Sequence, residues 1–198
     1  MFKLKKSQIP NILTIIRMIL AIVVCVFLFV PFGNIIYHIK TDFRLSFLLA
    51  GILFAIASIT DFLDGYLARK YNWVSDFGKL WDPIADKVLT NSVIIIFAIQ
   101  GLVPGFVPVV FIARDTIVDA TRMIASSKNI IIPANIFGKL KTMTMMISLV
   151  VVFFVLNSVD STDLLYYWIL QNGLVLISLL LSVMSGFIYV YKYIKLKK

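Results

Sequence analysis

The sequence predicts an all-α, polytopic membrane protein: six spanning helices in one domain, residues 1–198, with an active-site cleft open to the cytoplasmic side. Three observations predict it. Of the 198 residues 61% are hydrophobic, and the mean hydropathy is +0.98. Apolar runs recur along the whole chain at about the 20-residue length that a bilayer crossing needs. Lysine and arginine gather in alternate connections between those runs, as they do in cytoplasmic loops. A soluble domain of this length could not hide so much apolar surface.

The spans are read at 9–30, 43–68, 80–101, 104–125, 143–156 (with its start extended back to 138) and 165–193. Residues 1–8, with Phe2 and Leu4 among lysines, read as an interfacial helix. The first span follows Lys3, Lys5 and Lys6 as a signal peptide would. It has no small-residue cleavage site and five spans come after it, so it is read as retained.

Loop charge sets the orientation. Lys3, Lys5 and Lys6, then Arg69, Lys70 and Lys79, then Lys128, Lys139 and Lys141, and finally Lys192, Lys195, Lys197 and Lys198 fall on one side. The third-to-fourth link carries no charge, the fifth-to-sixth carries Asp160 and Asp163, and the first-to-second is mixed, with Lys40, Asp42 and Arg44. Both termini are therefore expected in the cytoplasm of a multi-pass cell-membrane protein. The formal charge of +9 also suits anionic lipids or phosphate-bearing substrates, and no nucleic-acid partner is expected. The lone Cys25 excludes an intrachain disulfide, and His38 reads as an interfacial loop residue without chemistry. Trp73, Trp81 and Trp168 fall near span ends, where aromatic anchors belong.

Four aspartates interrupt this apolar pattern. Asp61, Asp64, Gly65 and Ala68 stand at i, i+3, i+4 and i+7, on one helical face bordered by Arg69. Gly78, Asp82 and Asp86 follow at i, i+4 and i+8 in the next span. The short connection lets the two helices pack as antiparallel neighbours, with both faces in one cleft. At about 1.5 Å per residue Asp61 lies about 12 Å inward from Arg69, within reach of cytoplasmic solutes. A single charge at the bilayer centre costs roughly 2.5–3.5 kcal/mol, and clustered carboxylates also repel one another. Hard divalent cations relieve both problems. Two ions about 3.5–4 Å apart could bridge four carboxylates and a pyrophosphate. The plainer alternative pairs each interfacial aspartate with a nearby Lys or Arg; the shared spacing with Gly65, Ala68 and Gly78 favours the metal reading.

Written as D-x2-D-G-x2-A-R-x8-G-x3-D-x3-D, this pattern resembles the signature of the CDP-alcohol phosphatidyltransferases, and the six-span plan is similar to that family's. Asp61, Asp64, Gly65, Ala68, Arg69, Gly78, Asp82 and Asp86 fill every position. The resemblance implies transfer of a phosphatidyl group from CDP-diacylglycerol to an alcohol with release of CMP. It implies Asp61, Asp64, Asp82 and Asp86 as ligands of two divalent cations, Mg²⁺ or Mn²⁺, with Asp86 also the catalytic general base. Gly65, Ala68, Arg69 and Gly78 would receive the cytidine nucleotide. It also implies a homodimer.

A second basic group suggests the acceptor. Arg114 and Arg122 occur in "RDTIVDATR", Lys139 and Lys141 in "GKLKT", on the side assigned to the aspartates. Arginine and lysine together bind phosphate well. Positive-inside bias accounts for Lys128 and extends to Lys139, but fits Arg114 poorly, since that residue lies about 12 Å further in than Arg122. These segments, with "PNILTIIR" from Pro10 to Arg17, resemble the branch of the family that uses sn-glycerol 3-phosphate, the phosphatidylglycerophosphate synthases. Asp115 departs from the Glu expected there. Asn11, Thr14 and Arg17 are spread over about 120° of helix. Two readings stand for them, a donor-phosphate site or an Arg17 that snorkels to the interface. Inositol phosphate or a lipid alcohol is the alternative acceptor. A cation-coupled transporter is the alternative from another class, since intramembrane acids also mark ion paths. Transporters of that kind bring inverted repeats, and none is visible here.

Overall fold

The computed structural model describes residues 9–29, 45–71, 76–130, 136–155 and 164–197. The side chains of 62–69 and of some residues at the ends of helices lie outside that description. The expected interfacial helix at 1–8 lies outside it, as do His38, Trp73 and the loop charges at 40–44, 160 and 163. Among the described residues the regular structure is all helical: α1 (Ile9–Phe29), α2 (Leu45–Lys70), α3 (Asp76–Ile99), α4 (Phe106–Ser127), α5 (Ile136–Val155) and α6 (Leu164–Lys197).

Among the described residues three helices are long and apolar enough to cross a membrane, over Asn11–Phe29, Ile136–Phe154 and Trp168–Leu196. The apolar part of α2, Ser46–Asp61, is shorter. Its remainder, like much of α3 and α4, carries the charged residues under discussion. The chain divides into two compact units, Met1–Ile96 and Phe97–Lys198.

In the first unit α1 packs along α2. The buried face of α1 is Thr14, Arg17, Ala21, Val24 and Leu28, an alternation of three and four residues that keeps one side of a 3.6-residue helix inward. Ile15, Ile19, Ile22, Val26 and Phe29 project from the opposite side, as lipid contact requires. The matching stripe on α2 is Phe47, Ala50, Phe54 and Ala57. The two alanines let the backbones approach closely, the usual device where lipid removes the hydrophobic drive for association. Continuing that stripe by one more turn reaches Asp61. An Arg17–Asp61 ion pair joins the early part of α1 to the late part of α2, so the two helices run antiparallel.

Pro83 lies within α3, between Asp82 and Asp86. It has no N–H to give to the carbonyl of residue 79, so the ladder loses a bond at the acidic turn. α3 ends at a reversal around Gly101, whose φ of 75° is left-handed and suits glycine. There the Leu102 amide donates to the Phe97 carbonyl at 2.9 Å.

In the second unit α6 packs against both α4 and α5. Contacts from Arg114 to Ser182 and Ser185, and from Arg122 to Tyr189, advance together along both chains, so α4 and α6 run parallel. Gly138, near the start of α5, faces Ser185 and Tyr189, late in α6, so those two helices run antiparallel. The core is Val107, Phe111, Val118, Leu149, Val152 and Val175, with Phe97 edge-on to Phe153 at 4.8 Å between centroids. The Gln171 side chain donates to the Leu102 carbonyl at 2.6 Å, fixing the start of α6 beside the chain leading into α4. Two residues past the end of α4, Asn129 is left-handed at φ 55°, a conformation asparagine tolerates. The Ile130 amide there closes back onto the Ala125 carbonyl.

Candidate active site

The acidic centre of the first unit is built by three helices. Asp61 comes from α2, and Asp82 and Asp86 from the first turns of α3. α1 supplies partners to both: Arg17 forms an ion pair with Asp61, and Thr14 donates a hydrogen bond to Asp82 at 2.5 Å. Thr14 and Arg17 are only 1% and 3% exposed. The snorkelling alternative for Arg17 is therefore wrong. Its side chain turns into the protein, where the half-buried Asp61 carboxylate on α2 pairs with the guanidinium. Thr14 and Arg17, three residues apart, converge although they face different aspartates, because α1 reaches both acidic helices.

Asp86 is half-buried one turn beyond Asp82, and its backbone carbonyl accepts from the Thr90 hydroxyl at 2.9 Å. Gly78 is buried in the first turn of α3. Asn11 is half-buried at the start of α1. The backbone of 62–69 is helical, so Asp64 follows Asp61 by one turn, but the side chains of Asp64, Gly65, Ala68 and Arg69 lie outside the described residues.

Among the described residues no three His, Cys, Asp or Glu side chains converge as a ready metal cage. The donor chemistry still fits a hard divalent ion. Asp61, Asp82 and Asp86 offer carboxylate oxygens and Thr14 a hydroxyl, with no thiol or imidazole among them. Arg17 sets a positive charge on Asp61, the pairing that the plainer alternative expected for this aspartate.

The second unit holds the basic group. Arg114 donates through Nε to the Ser182 carbonyl at 2.8 Å, through Nη2 to Ser185 Oγ, and through Nη1 to Asp115 at 2.7 Å. Lys141 Nζ lies 2.7 Å from both Asp115 oxygens and 5.5 Å from the Phe111 ring centroid. Arg122 donates to the Tyr189 hydroxyl at 2.6 Å, with its guanidinium carbon 4.7 Å from the ring centroid. Of the four cations named from sequence, Arg114 and Lys141 are thus joined through Asp115, Arg122 is held by α6, and Lys139 is exposed.

Sequence reasoning missed the α6 residues. Ser182, Ser185, Gly186 and Tyr189 stand at i, i+3, i+4 and i+7, a single helical face. That spacing was visible in the sequence, inside a segment read only as an apolar span.

Among the described residues the chain is all helical, with helices apolar enough for a membrane protein and carboxylates of α2 and α3 met by side chains of α1. The chain belongs to the CDP-alcohol phosphatidyltransferase family, whose model matches residues 7–190. It is 36% identical to the CDP-diacylglycerol–glycerol-3-phosphate 3-phosphatidyltransferase of Mycoplasma pneumoniae, over 97% of this chain and 91% of that protein. Proteins of the same name are 33% identical in Rickettsia typhi, over 92% of this chain and 95% of the relative, and 34% in Bacillus subtilis, over 71% and 74%. The chain is therefore a transferase rather than a transporter, and its family is generally dependent on divalent metal.

Proposed function

We propose that this chain transfers the phosphatidyl group of CDP-diacylglycerol to sn-glycerol 3-phosphate, giving phosphatidylglycerophosphate and CMP. The observation that carries the reading is the meeting of α1 with both acidic helices, Arg17 on Asp61 and Thr14 on Asp82, inside the complete family signature. The names of the relatives supply the acceptor.

Asp61, Asp64, Asp82 and Asp86 would hold two divalent ions, Mg²⁺ or Mn²⁺. When bound, those ions supply neutralisation of the charge that builds on the departing nucleotide phosphate. Gly65, Ala68, Arg69 and Gly78 receive the cytidine nucleotide. Asn11, Thr14 and Arg17 face the donor's phosphates, where the buried guanidinium offers fixed N–H groups to phosphate oxygens. Asp86 accepts the proton of the acceptor hydroxyl. The freed oxygen bonds to the phosphorus bearing diacylglycerol, the phosphorus–oxygen bond to CMP breaks, and CMP leaves with the electron pair.

Arg114, Arg122, Lys139 and Lys141 bind the acceptor's own phosphate. Arg114, Lys141 and the exposed Arg122 against Asp115 leave two positive charges. A phosphate monoester at neutral pH carries about −1.5 to −2. All six helices span the membrane, both termini and the cleft face the cytoplasm, and two copies form a homodimer.

The test is CMP release by the purified chain. It should require CDP-diacylglycerol, a divalent ion and sn-glycerol 3-phosphate together. Arg114→Gln should raise the KM for sn-glycerol 3-phosphate far more than that for the CDP-lipid. Equal activity with glycerol, or with inositol phosphate, would refute the acceptor assignment.

A further inference from the structure

We propose that the polar face of α6 is a positioning device for the acceptor cations, with Tyr189 holding Arg122 and the turn at Ser182–Gly186 holding Arg114; this rests on the acceptor reading above. The face is built for the purpose. Ser182, Ser185 and Tyr189 are buried, Tyr189 to 3% exposure, beyond a stretch of α6 whose buried residues include Val175 and Leu179. Elsewhere in the same helix the Ser178 hydroxyl turns back to the Val175 carbonyl of its own backbone. Ser185 and Tyr189 instead accept bonds from guanidinium groups of α4. Gly186 completes the turn. A Cβ there would come within 3.0 Å of Arg114 Cγ and 3.3 Å of its Nε, so the missing side chain is the slot through which the arginine passes.

Tyr189 fixes Arg122 in two ways. Its hydroxyl takes one N–H of Nη2, and its ring lies close enough to the guanidinium for cation–π attraction. A guanidinium has five N–H donors and no acceptor, so one bond to Tyr189 leaves the others for an anion. Arg122 is exposed and can be approached, while the tyrosine that orients it is buried. A long side chain already held in one plane loses less freedom on capturing a phosphate than a mobile one. The hydroxyl of Tyr189 therefore raises affinity for the acceptor phosphate without touching it, and has no part in donor binding.

The experiment is steady-state kinetics of the full chain in detergent or vesicles, varying sn-glycerol 3-phosphate and CDP-diacylglycerol separately. Tyr189→Phe keeps the ring and its packing and removes only the hydroxyl. It should raise the KM for sn-glycerol 3-phosphate about tenfold, with kcat and the KM for CDP-diacylglycerol within about twofold. Arg122→Gln should raise the same KM at least as far, and the double variant no further, because the hydroxyl acts only through Arg122. If Arg122→Gln raises the acceptor KM and Tyr189→Phe does not, the positioning role is overturned while the acceptor site stands. If Tyr189→Phe raises both KM values together with a loss of thermal stability, the tyrosine is structural and the inference is overturned. If Arg122→Gln leaves the acceptor KM unchanged, the acceptor reading itself fails and the inference falls with it.

Discussion

Arg17 on α1 is buried against Asp61 on α2. The buried guanidinium needs that carboxylate, since a buried charge left without its partner is strongly destabilising. The pair makes α1 part of the acidic centre rather than a membrane anchor beside it. Arg17→Gln should weaken CDP-diacylglycerol binding by about tenfold or more, the loss expected for a charged hydrogen bond to phosphate. Donor and acceptor KM values measured side by side would check this. An unchanged donor KM with reduced thermal stability would assign Arg17 to Asp61 alone.

The carboxylates are expected to need a divalent ion for function. Asp61→Asn, Asp64→Asn and Asp82→Asn should each abolish CMP release and weaken divalent-ion binding measured by calorimetry. Chelation of the native chain should stop turnover reversibly. Full activity after chelation would rule the metal-dependent reading out.

Asp115 carries the balance of the second unit. Its carboxylate lies between Lys141 and Arg114, and the three side chains are 7–12% exposed. Asp115→Asn leaves two buried cations facing an amide, so the variant should unfold at lower temperature, by about 3 kcal/mol of lost stability or more. Asp115→Glu keeps the charge and should recover most of that loss. Thermal unfolding of the detergent-solubilised chain reads both variants, and equal loss in the two would mean that shape, not charge, matters at this position.

The fold was largely legible because the bilayer makes length and hydropathy decisive. Helices stand where spans were expected, Ile9–Phe29 for 9–30 and Phe106–Ser127 for 104–125, and of these two only the first is long and apolar enough to cross a membrane. The differences arise where polar ends continue a helix. α6 runs on to Lys197 because lysines can extend past the apolar boundary with their charges in water. The aspartate signature was legible because its spacing is local. The Thr14–Asp82 bond was not, since it joins residues 68 positions apart and helical spacing says nothing about which helix comes alongside. The serines of α6 were obscured for another reason. A serine in an apolar helix ordinarily bonds its own backbone, as Ser148 does to Met145, so its presence alone implies no partner.

Asp86 is expected to be the general base for the acceptor hydroxyl. It follows Asp82 by one turn of α3, about 6 Å along the axis, and is half-buried. Pro83 between them removes a backbone donor from this turn. A primary hydroxyl is a poor nucleophile at neutral pH until its proton is removed, and a positioned base typically contributes about 10²–10⁴-fold. Asp86→Asn preserves size and one oxygen but cannot accept the proton. Binding of CDP-diacylglycerol should be nearly retained while turnover falls about 10²-fold or more. Donor binding by calorimetry and single-turnover CMP release separate the two effects. Turnover within a few-fold of the native chain would remove the base role. Loss of donor binding as complete as in Asp61→Asn would make Asp86 chiefly a metal ligand.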